Sequence, residues 1–193
     1  MTIRQSILAL LSEQPMYGAQ LKAEFESRTG STWPLNVGQV YSTISRLERD
    51  GLVVPAGEAD EEHRIVYGLT SDGRDAAARW WTDPVLRESA PRSELAIKLA
   101  LAVTVPGVDV AAVVQVQRRA TLQQLQELTR LKRRSGDDPD EAGLAWELVL
   151  EHLVFTAEAE VRWLDHVESS LVRRRGRPRP QPVAPARALQ EHR

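Results

Sequence analysis

Apolar residues recur every three to four positions in the first fifty residues, the spacing typical of helices that bury one face. A first such segment runs to the break at Pro15–Gly18, and a second, with Leu21 and Phe25 four apart, ends near Gly30. Glycine and proline are the residues that most often interrupt helices, so each break separates two elements. A connector containing Pro34 then leads into a third segment, and the pattern predicts three short helices in succession.

The third segment carries the clearest signals for the two ends of a helix. Asn36 followed three positions later by Gln39 fits a reciprocal N-terminal cap, in which each side chain accepts a hydrogen bond from the other residue's backbone. Gly51 is a typical residue just after a helix end. The spacing predicts that one stripe of this helix is buried, consisting of Val37, Val40, Ile44 and Leu47.

Two short β-prone runs follow, at 52–54 and 65–69, separated by the acidic, turn-rich segment 55–62. Such a pair predicts a two-stranded hairpin of the wing type. Two strands are marginal alone, so we expect the hairpin to pack on the helices.

Beyond the hairpin the chain reads as helix only. Thr70 or Ser71 opens a fourth helix, which Asp83-Pro84 closes, and three further helical segments follow. The predicted fold is mainly α: an N-terminal winged helix-turn-helix with three helices and a two-stranded wing, then a C-terminal α-helical dimerisation domain. The predicted boundaries are 1–84 for the winged helix DNA-binding domain, 85–172 for the helical domain and 173–193 for a disordered Arg/Pro-rich tail.

The final helix, from about 140 to 172, has few polar residues in its middle. A helix that is apolar nearly all round needs cover on more than one side, and a symmetric partner chain would supply it. The alternative is that this helix fills a monomeric bundle. The candidate dimerisation residues are Leu144, Leu148, Leu153 and Phe155.

Opposite the predicted buried stripe, the third helix has polar residues three, four and seven positions after Gln39. This is the spacing of residues on one helix face. Glutamine suits adenine, serine and threonine suit several base edges, and arginine suits guanine or phosphate. The alternative is an ordinary solvated face. The residues of this stripe are Gln39, Ser42, Thr43 and Arg46, with Tyr41 at its border.

These motifs resemble, in order, the DNA-binding domain of the PadR family of transcriptional regulators. The resemblance covers residues 5–83, and the helical pattern of 92–172 is similar to the C-terminal extension of the larger members. The matching elements are Ile7-Leu8-Ala9-Leu10-Leu11, Tyr17-Gly18 with Leu21, Trp33-Pro34, Gly38-Gln39-Val40-Tyr41, Arg46-Leu47-Glu48-Arg49-Asp50-Gly51-Leu52-Val53, and Tyr67-Gly68-Leu69-Thr70 with Gly73.

The resemblance implies a homodimer on double-stranded DNA, with the third helices in successive major grooves and the wings on the flanking backbone. Ala19 and Ser42 depart from the family pattern, and the usually basic wing here reads Glu61-Glu62-His63-Arg64. The candidate DNA-contacting residues are Asn36, Gln39, Tyr41, Ser42, Thr43, Arg46, His63 and Arg64.

Charge is distributed unevenly along the chain. Residues 173–193 hold seven arginines against one glutamate, whereas the whole chain carries a net charge of −2, so the remainder is acidic. An acidic body favours a second hypothesis, a winged-helix module that binds proteins without reading DNA sequence. The Gly-Arg-Pro core at 176–178 is similar to an AT-hook, for which non-specific DNA contact and a plain solvated tail are the alternatives.

Family members commonly respond to aromatic or drug-like effectors, and the candidate contacts here are Trp80, Trp81, Trp146 and Trp163, for which core packing is the alternative.

With no cysteine and no metal-binding spacing among the four histidines, we expect no metal, no cofactor and no enzymatic activity. The N-terminus does not resemble a signal peptide, and no apolar run is long enough to span a membrane. We therefore expect a cytoplasmic regulator, a ligand-responsive repressor that binds an inverted repeat as a homodimer.

Overall fold

A computed structural model describes residues 2–57, 64–86, 92–135 and 141–175 of the chain. The described residues divide into two compact units, one formed from positions 1–91 and 128–154 and the other from 92–127 and 155–193. In chain order the elements are α1 (Thr2–Leu11), β1 (Met16–Tyr17), α2 (Gly18–Arg28), α3 (Val37–Arg49), β2 (Val53–Pro55), β3 (Val66–Leu69), α4 (Ser71–Thr82), α5 (Glu94–Thr104), α6 (Val110–Ser135) and α7 (Glu141–Arg175).

The first unit is built around one hydrophobic core that α1, α2, α3 and the sheet share. The apolar stripe of α3 enters this core, and the neighbouring helices contribute leucines and isoleucines spaced three to four apart. Fully buried side chains include Leu8, Leu21, Ile44, Leu47 and Val53.

The sheet has three antiparallel strands in the order β1-β3-β2, whereas the sequence predicted only the two-stranded wing. Strands β2 and β3 pair with Val53 opposite Leu69, as a wing requires. Met16 and Tyr17 pair with Tyr67 and Val66 on the other edge of β3. The added strand anchors the base of the wing to the start of α2, which removes the weakness of an isolated hairpin.

The helix ends in this unit follow the predicted signals. Asn36 and Gln39 form the reciprocal cap of α3, and Thr70 caps α4 by accepting a hydrogen bond from the Gly73 backbone N–H at 3.0 Å. Gly30 and Gly51, just after α2 and α3, adopt left-handed backbone conformations, with φ of 56° and 73°. Glycine reaches this region without steric cost, so both helices end where the sequence indicated.

The second unit contains α5 with parts of α6 and α7, which pack through Leu99, Val114 and Leu164. Beside this core lies a polar seam. The buried Thr121 hydroxyl lies 2.5 Å from the Glu160 carboxylate, and Arg118 pairs with Glu168 at 2.7 Å. The hydrogen bond from Arg118 lowers the pKa of the Glu168 carboxyl. These directional contacts fix how α6 pairs with the second half of α7.

Helix α7 continues to Arg175 and so includes the first three residues of the tail predicted at 173–193. The Gly-Arg-Pro core of that tail lies outside the described residues.

Candidate DNA interface

The third helix is held by one apolar side and one cap. Val40, Ile44 and Leu47 are buried, as predicted, and Leu35 just before the helix is buried with them. Val37 was expected in the same stripe, but this prediction was wrong: 44% of the residue is exposed. Val37 is the first residue of α3, and the core does not extend to that end of the helix.

The exposed face of α3 is wider than the predicted polar stripe. At 3.6 residues per turn, the direction opposite the buried residues falls between Ser42 and Arg49, with Gly38, Ser45 and Arg46 around it. All five are exposed. Ser45 and Arg49 were missed because the stripe was predicted from residues three, four and seven positions after Gln39. The residues opposite the centre of the apolar side would have included both.

The predicted polar readers differ in how far local hydrogen bonds occupy them. The Gln39 side-chain oxygen accepts from the Asn36 backbone N–H at 3.3 Å, which leaves its amide group as a donor. The Ser42 and Thr43 hydroxyls both donate to the Gln39 carbonyl, at 3.0 and 2.7 Å. Their oxygens keep free lone pairs, so these two residues can accept from base amino groups.

Thr43 is half-buried on the flank of the helix, which makes it the least accessible member of the predicted set. Asn36 is exposed, and its side-chain oxygen accepts from the Gly38 N–H at 2.8 Å. Arg46 forms no salt bridge within the described part of the chain, so its guanidinium is available to a ligand.

Tyr41 lies on the side of α3 that faces the start of α2. A Cβ atom placed on Gly18 would lie 2.8 Å from the Cε1 and Cζ atoms of the Tyr41 ring. Glycine at position 18 therefore allows the ring to rest against the α2 backbone. Burial, with Glu48 and Tyr41 nearby, raises the pKa of the Tyr67 hydroxyl on β3.

At the base of the wing, the Arg64 guanidinium lies over the Tyr17 ring, 4.7 Å from its centroid. A cation in this position is attracted by the electron-rich ring face. The predicted contact His63 lies outside the described residues, as do the acidic positions 58–62.

Ion pairs join α1 to the end of α3 and α2 to the turn that follows α1. Arg4 on α1 pairs at 2.5 Å with Asp50 at the end of α3, which offsets a negative charge beside the exposed face. Arg28 on α2 binds both carboxylate oxygens of Glu13, at 2.5 and 2.7 Å. The hydrogen bonds from Arg28 lower the pKa of the Glu13 carboxyl.

A cleft of about 240 Å³ opens between α1, α2 and α4 in the first unit. Trp80 and Trp81, whose ring centroids are 4.7 Å apart, line it together. Of the other two predicted effector contacts, Trp146 packs against Gly30 and Trp163 belongs to the second unit. The remaining lining residues are Ser6, Ala9, Leu10, Glu13, Phe25, Arg28 and Thr29.

Three of the four candidate dimerisation residues share one face of α7. Leu144, Leu148 and Phe155 are 56%, 59% and 63% exposed, and helical geometry places them within about 40° of one another. Leu153 lies on the opposite side of the helix and is half-buried.

Within the described ranges, no helix combines the length and the apolar character needed to cross a membrane. The same residues bring no three histidine, aspartate or glutamate side chains together as metal ligands.

Three helices, the third capped and presenting a polar face, together with a three-stranded sheet, define a winged helix-turn-helix protein. Residues 7–79 match the family described as transcriptional regulator PadR-like, and residues 91–171 match the virulence activator alpha C-terminal region. The chain thus carries a PadR-like transcriptional-regulator domain over residues 7–79, followed by a virulence activator alpha C-terminal region. No curated protein matches it.

Solved structures show the same fold over nearly the whole chain. PadR of Bacillus subtilis in complex with operator DNA is 16% identical, with a TM-score of 0.66, and the match covers 88% of this chain and 98% of PadR. The same protein in complex with p-coumaric acid is 18% identical, with a TM-score of 0.67 and coverage of 89% and 99%. The Vibrio cholerae virulence activator AphA is 21% identical, with a TM-score of 0.64 and the same coverage.

Proposed function

We propose that this chain is a homodimeric repressor that binds an inverted-repeat operator through α3 and releases it when an aromatic effector binds. Positions 1–84 would bind DNA and 85–172 would form the dimer, while the wing would contact the flanking backbone through Arg64. The solved complexes of Bacillus subtilis PadR with operator DNA and with p-coumaric acid support this assignment.

The observation that carries the proposal is the geometry of α3. Its apolar side is locked in the core and its N-terminus is capped, while the opposite face exposes Ser42, Ser45, Arg46 and Arg49. A helix held in this way can enter the major groove without rearranging. The bases there present the donors and acceptors that arginine, serine and glutamine match.

Arg46→Ala, which removes the guanidinium, is expected to weaken specific DNA binding by about 1–3 kcal/mol. It should also relax the base preference at one position of the operator. The measurement is an anisotropy titration of the full chain against a duplex selected from a random-sequence library. Binding by the unchanged chain should fall steeply as salt rises, because phosphate contacts release counterions.

Arg79→Ala is the matched control, since it removes the same charge from the exposed side of α4 in the same unit. The control should bind as the unchanged chain does. Equal affinity for selected and random duplexes would favour the winged-helix module that binds proteins instead.

The effector proposal rests on the cleft at Trp80 and Trp81. The two rings offer stacking surface, Arg28 offers a cation, and the volume suits a single-ring molecule rather than a larger drug. A ligand carboxylate would replace Glu13 at the Arg28 guanidinium. The ligand can release DNA only if it binds the DNA-free form of the dimer more tightly than the DNA-bound form, with the two α3 helices arranged differently in each.

For a test of the cleft, p-coumaric acid is titrated into the full chain by calorimetry. Trp80→Leu is expected to weaken binding about 10-fold, because the stacking contact between the ligand ring and this half-buried tryptophan is lost. Trp33→Phe, at an exposed tryptophan that does not line the cleft, serves as the control and should leave the affinity unchanged. Absence of binding, or equal affinity in Trp80→Leu, contradicts the assignment of the cleft.

We further propose that the chain has no catalytic role and acts in the cytoplasm. The first proposal follows because a transcriptional regulator acts by binding DNA and an effector, without a chemical step. The second follows because the DNA that it binds lies in the cytoplasm.

A further inference from the structure

Apolar side chains are concentrated on the surface at the beginning of α3. Trp33 is 46% exposed, Val37 44% and Tyr41 44%, all within nine residues. Single exposed apolar residues are common on protein surfaces, but here three large ones stand at the end of the helix that would enter DNA.

The fold makes little use of Val37. Leu35 and Val40 on either side are buried and provide the packing at this end of α3, whereas Val37 lies outside the core. A β-branched residue also has a lower helix propensity than alanine or leucine. The exposed methyl groups of Val37 are thus not explained by folding.

Val37 lies about 140° around the helix from Ser42, so it is exposed at the N-terminal tip of α3 rather than on the face around Ser42. Asn36 caps the helix before it, and Gly38 after it has no side chain. Tyr41, one turn further on, leans against Gly18 at the start of α2. The Val37 side chain is therefore the apolar group nearest the N-terminus of α3, the part of a recognition helix that reaches base edges.

The major groove presents one apolar group, the C5-methyl of thymine. We propose that Val37 packs against a thymine C5-methyl in each operator half-site and sets the preference for thymine at that position. This inference rests on the proposed function, because it assumes that α3 enters the major groove.

The test uses duplexes selected from a random-sequence library by the full chain. Each thymine of the selected half-site is replaced in turn by uracil, which lacks only the C5-methyl. For the unchanged chain, one position per half-site is expected to lose about 4-fold in affinity, and about 16-fold when both half-sites are changed, as burial of one methyl group predicts. Val37→Ala should bind the thymine and uracil duplexes equally.

Val54→Ala is the matched control, since Val54 on the wing strand β2 is 45% exposed and should retain the full uracil penalty. Thermal unfolding confirms that both variants fold. Val37→Thr, which keeps the shape of the side chain and one of its two methyl groups, should retain part of the penalty.

The outcomes separate this inference from the proposed function. If no sequence is selected, the proposal of sequence-specific binding fails and this inference fails with it. If a sequence is selected but contains no thymine, tolerates uracil throughout, or shows an undiminished penalty in Val37→Ala, the inference about Val37 is overturned while specific binding stands.

Discussion

Replacing Gly73 by alanine is expected to destabilise the first unit by about 3 kcal/mol or more, because a side chain there would collide with backbone. A Cβ atom at Gly73 would lie 2.0 Å from the Leu52 carbonyl oxygen and 3.0 Å from the Leu52 carbonyl carbon. A backbone carbonyl cannot turn aside as the end of a flexible side chain can. The first turn of α4 would have to move away from the segment that follows α3.

That movement would also break the hydrogen bonds that join the two segments. The Thr70 backbone N–H donates to the Leu52 carbonyl at 3.1 Å, and the Thr70 hydroxyl donates to the Gly51 carbonyl at 2.8 Å. The measurement is denaturant unfolding followed by circular dichroism. Because Gly51 and Leu52 directly follow the proposed recognition helix, DNA affinity should fall together with stability.

Gly38→Ala provides the matched control, since it is also a glycine-to-alanine change in the first turn of a helix. A Cβ atom there would meet only the Asn36 side-chain oxygen, at 3.3 Å, so stability should change by no more than about 1 kcal/mol. Similar unfolding midpoints for Gly73→Ala and the unchanged chain would contradict the close approach of α4 to Leu52.

The parts of the fold that sequence predicts well are those encoded locally. The cap formed by Asn36 and Gln39 needs two residues at a fixed spacing, and the buried side of α3 needs only a helical period. The cap lies where the pattern placed it, and so do three of the four residues predicted to be buried. Thr70 caps the start of α4 and Gly51 follows the end of α3, as predicted. Each of these signals depends only on residues a few positions away.

The first strand could not be predicted because it has only two residues. Met16 and Tyr17 show no alternation, and they become a strand only by pairing with β3, about fifty residues away. The same tertiary contact positions Tyr17 beneath Arg64. Neither propensity nor local pattern contains that information.

The errors at the candidate site have geometric causes. The spacing of apolar residues included Val37 in the buried stripe, although a core need not cover the first residue of a helix. Similarly, apolar content selected Leu153 with Leu144 as dimer residues, although nine positions along a helix lead to the opposite side. The tryptophans could not be sorted from sequence, because only the packing of α1, α2 and α4 brings Trp80 and Trp81 to one cleft.

The second prediction concerns the exposed apolar face of α7. Acidic substitutions at both Leu144 and Leu148 are expected to convert the dimer to a monomer, because two charges would be buried without partners in a symmetric interface. Both side chains are more than half exposed in the single chain, so the change should not disturb the fold. Sedimentation of Leu144→Asp/Leu148→Asp should show one species at half the mass of the unchanged protein.

The same change is expected to lower affinity for a complete inverted repeat by about 100-fold or more, since the second half-site is no longer bound intramolecularly. Affinity for a single half-site should be unchanged, because neither residue lies on α3. Val85→Asp, another apolar-to-acidic change at an exposed position of the first unit, is the control and should remain dimeric.

If the unchanged chain sediments as a monomer, or if the doubly charged variant remains a dimer, α7 does not form the interface. A monomer that still bound the complete repeat with undiminished affinity would show instead that the two half-sites are read independently, and an effector could not then act by altering the distance between two α3 helices.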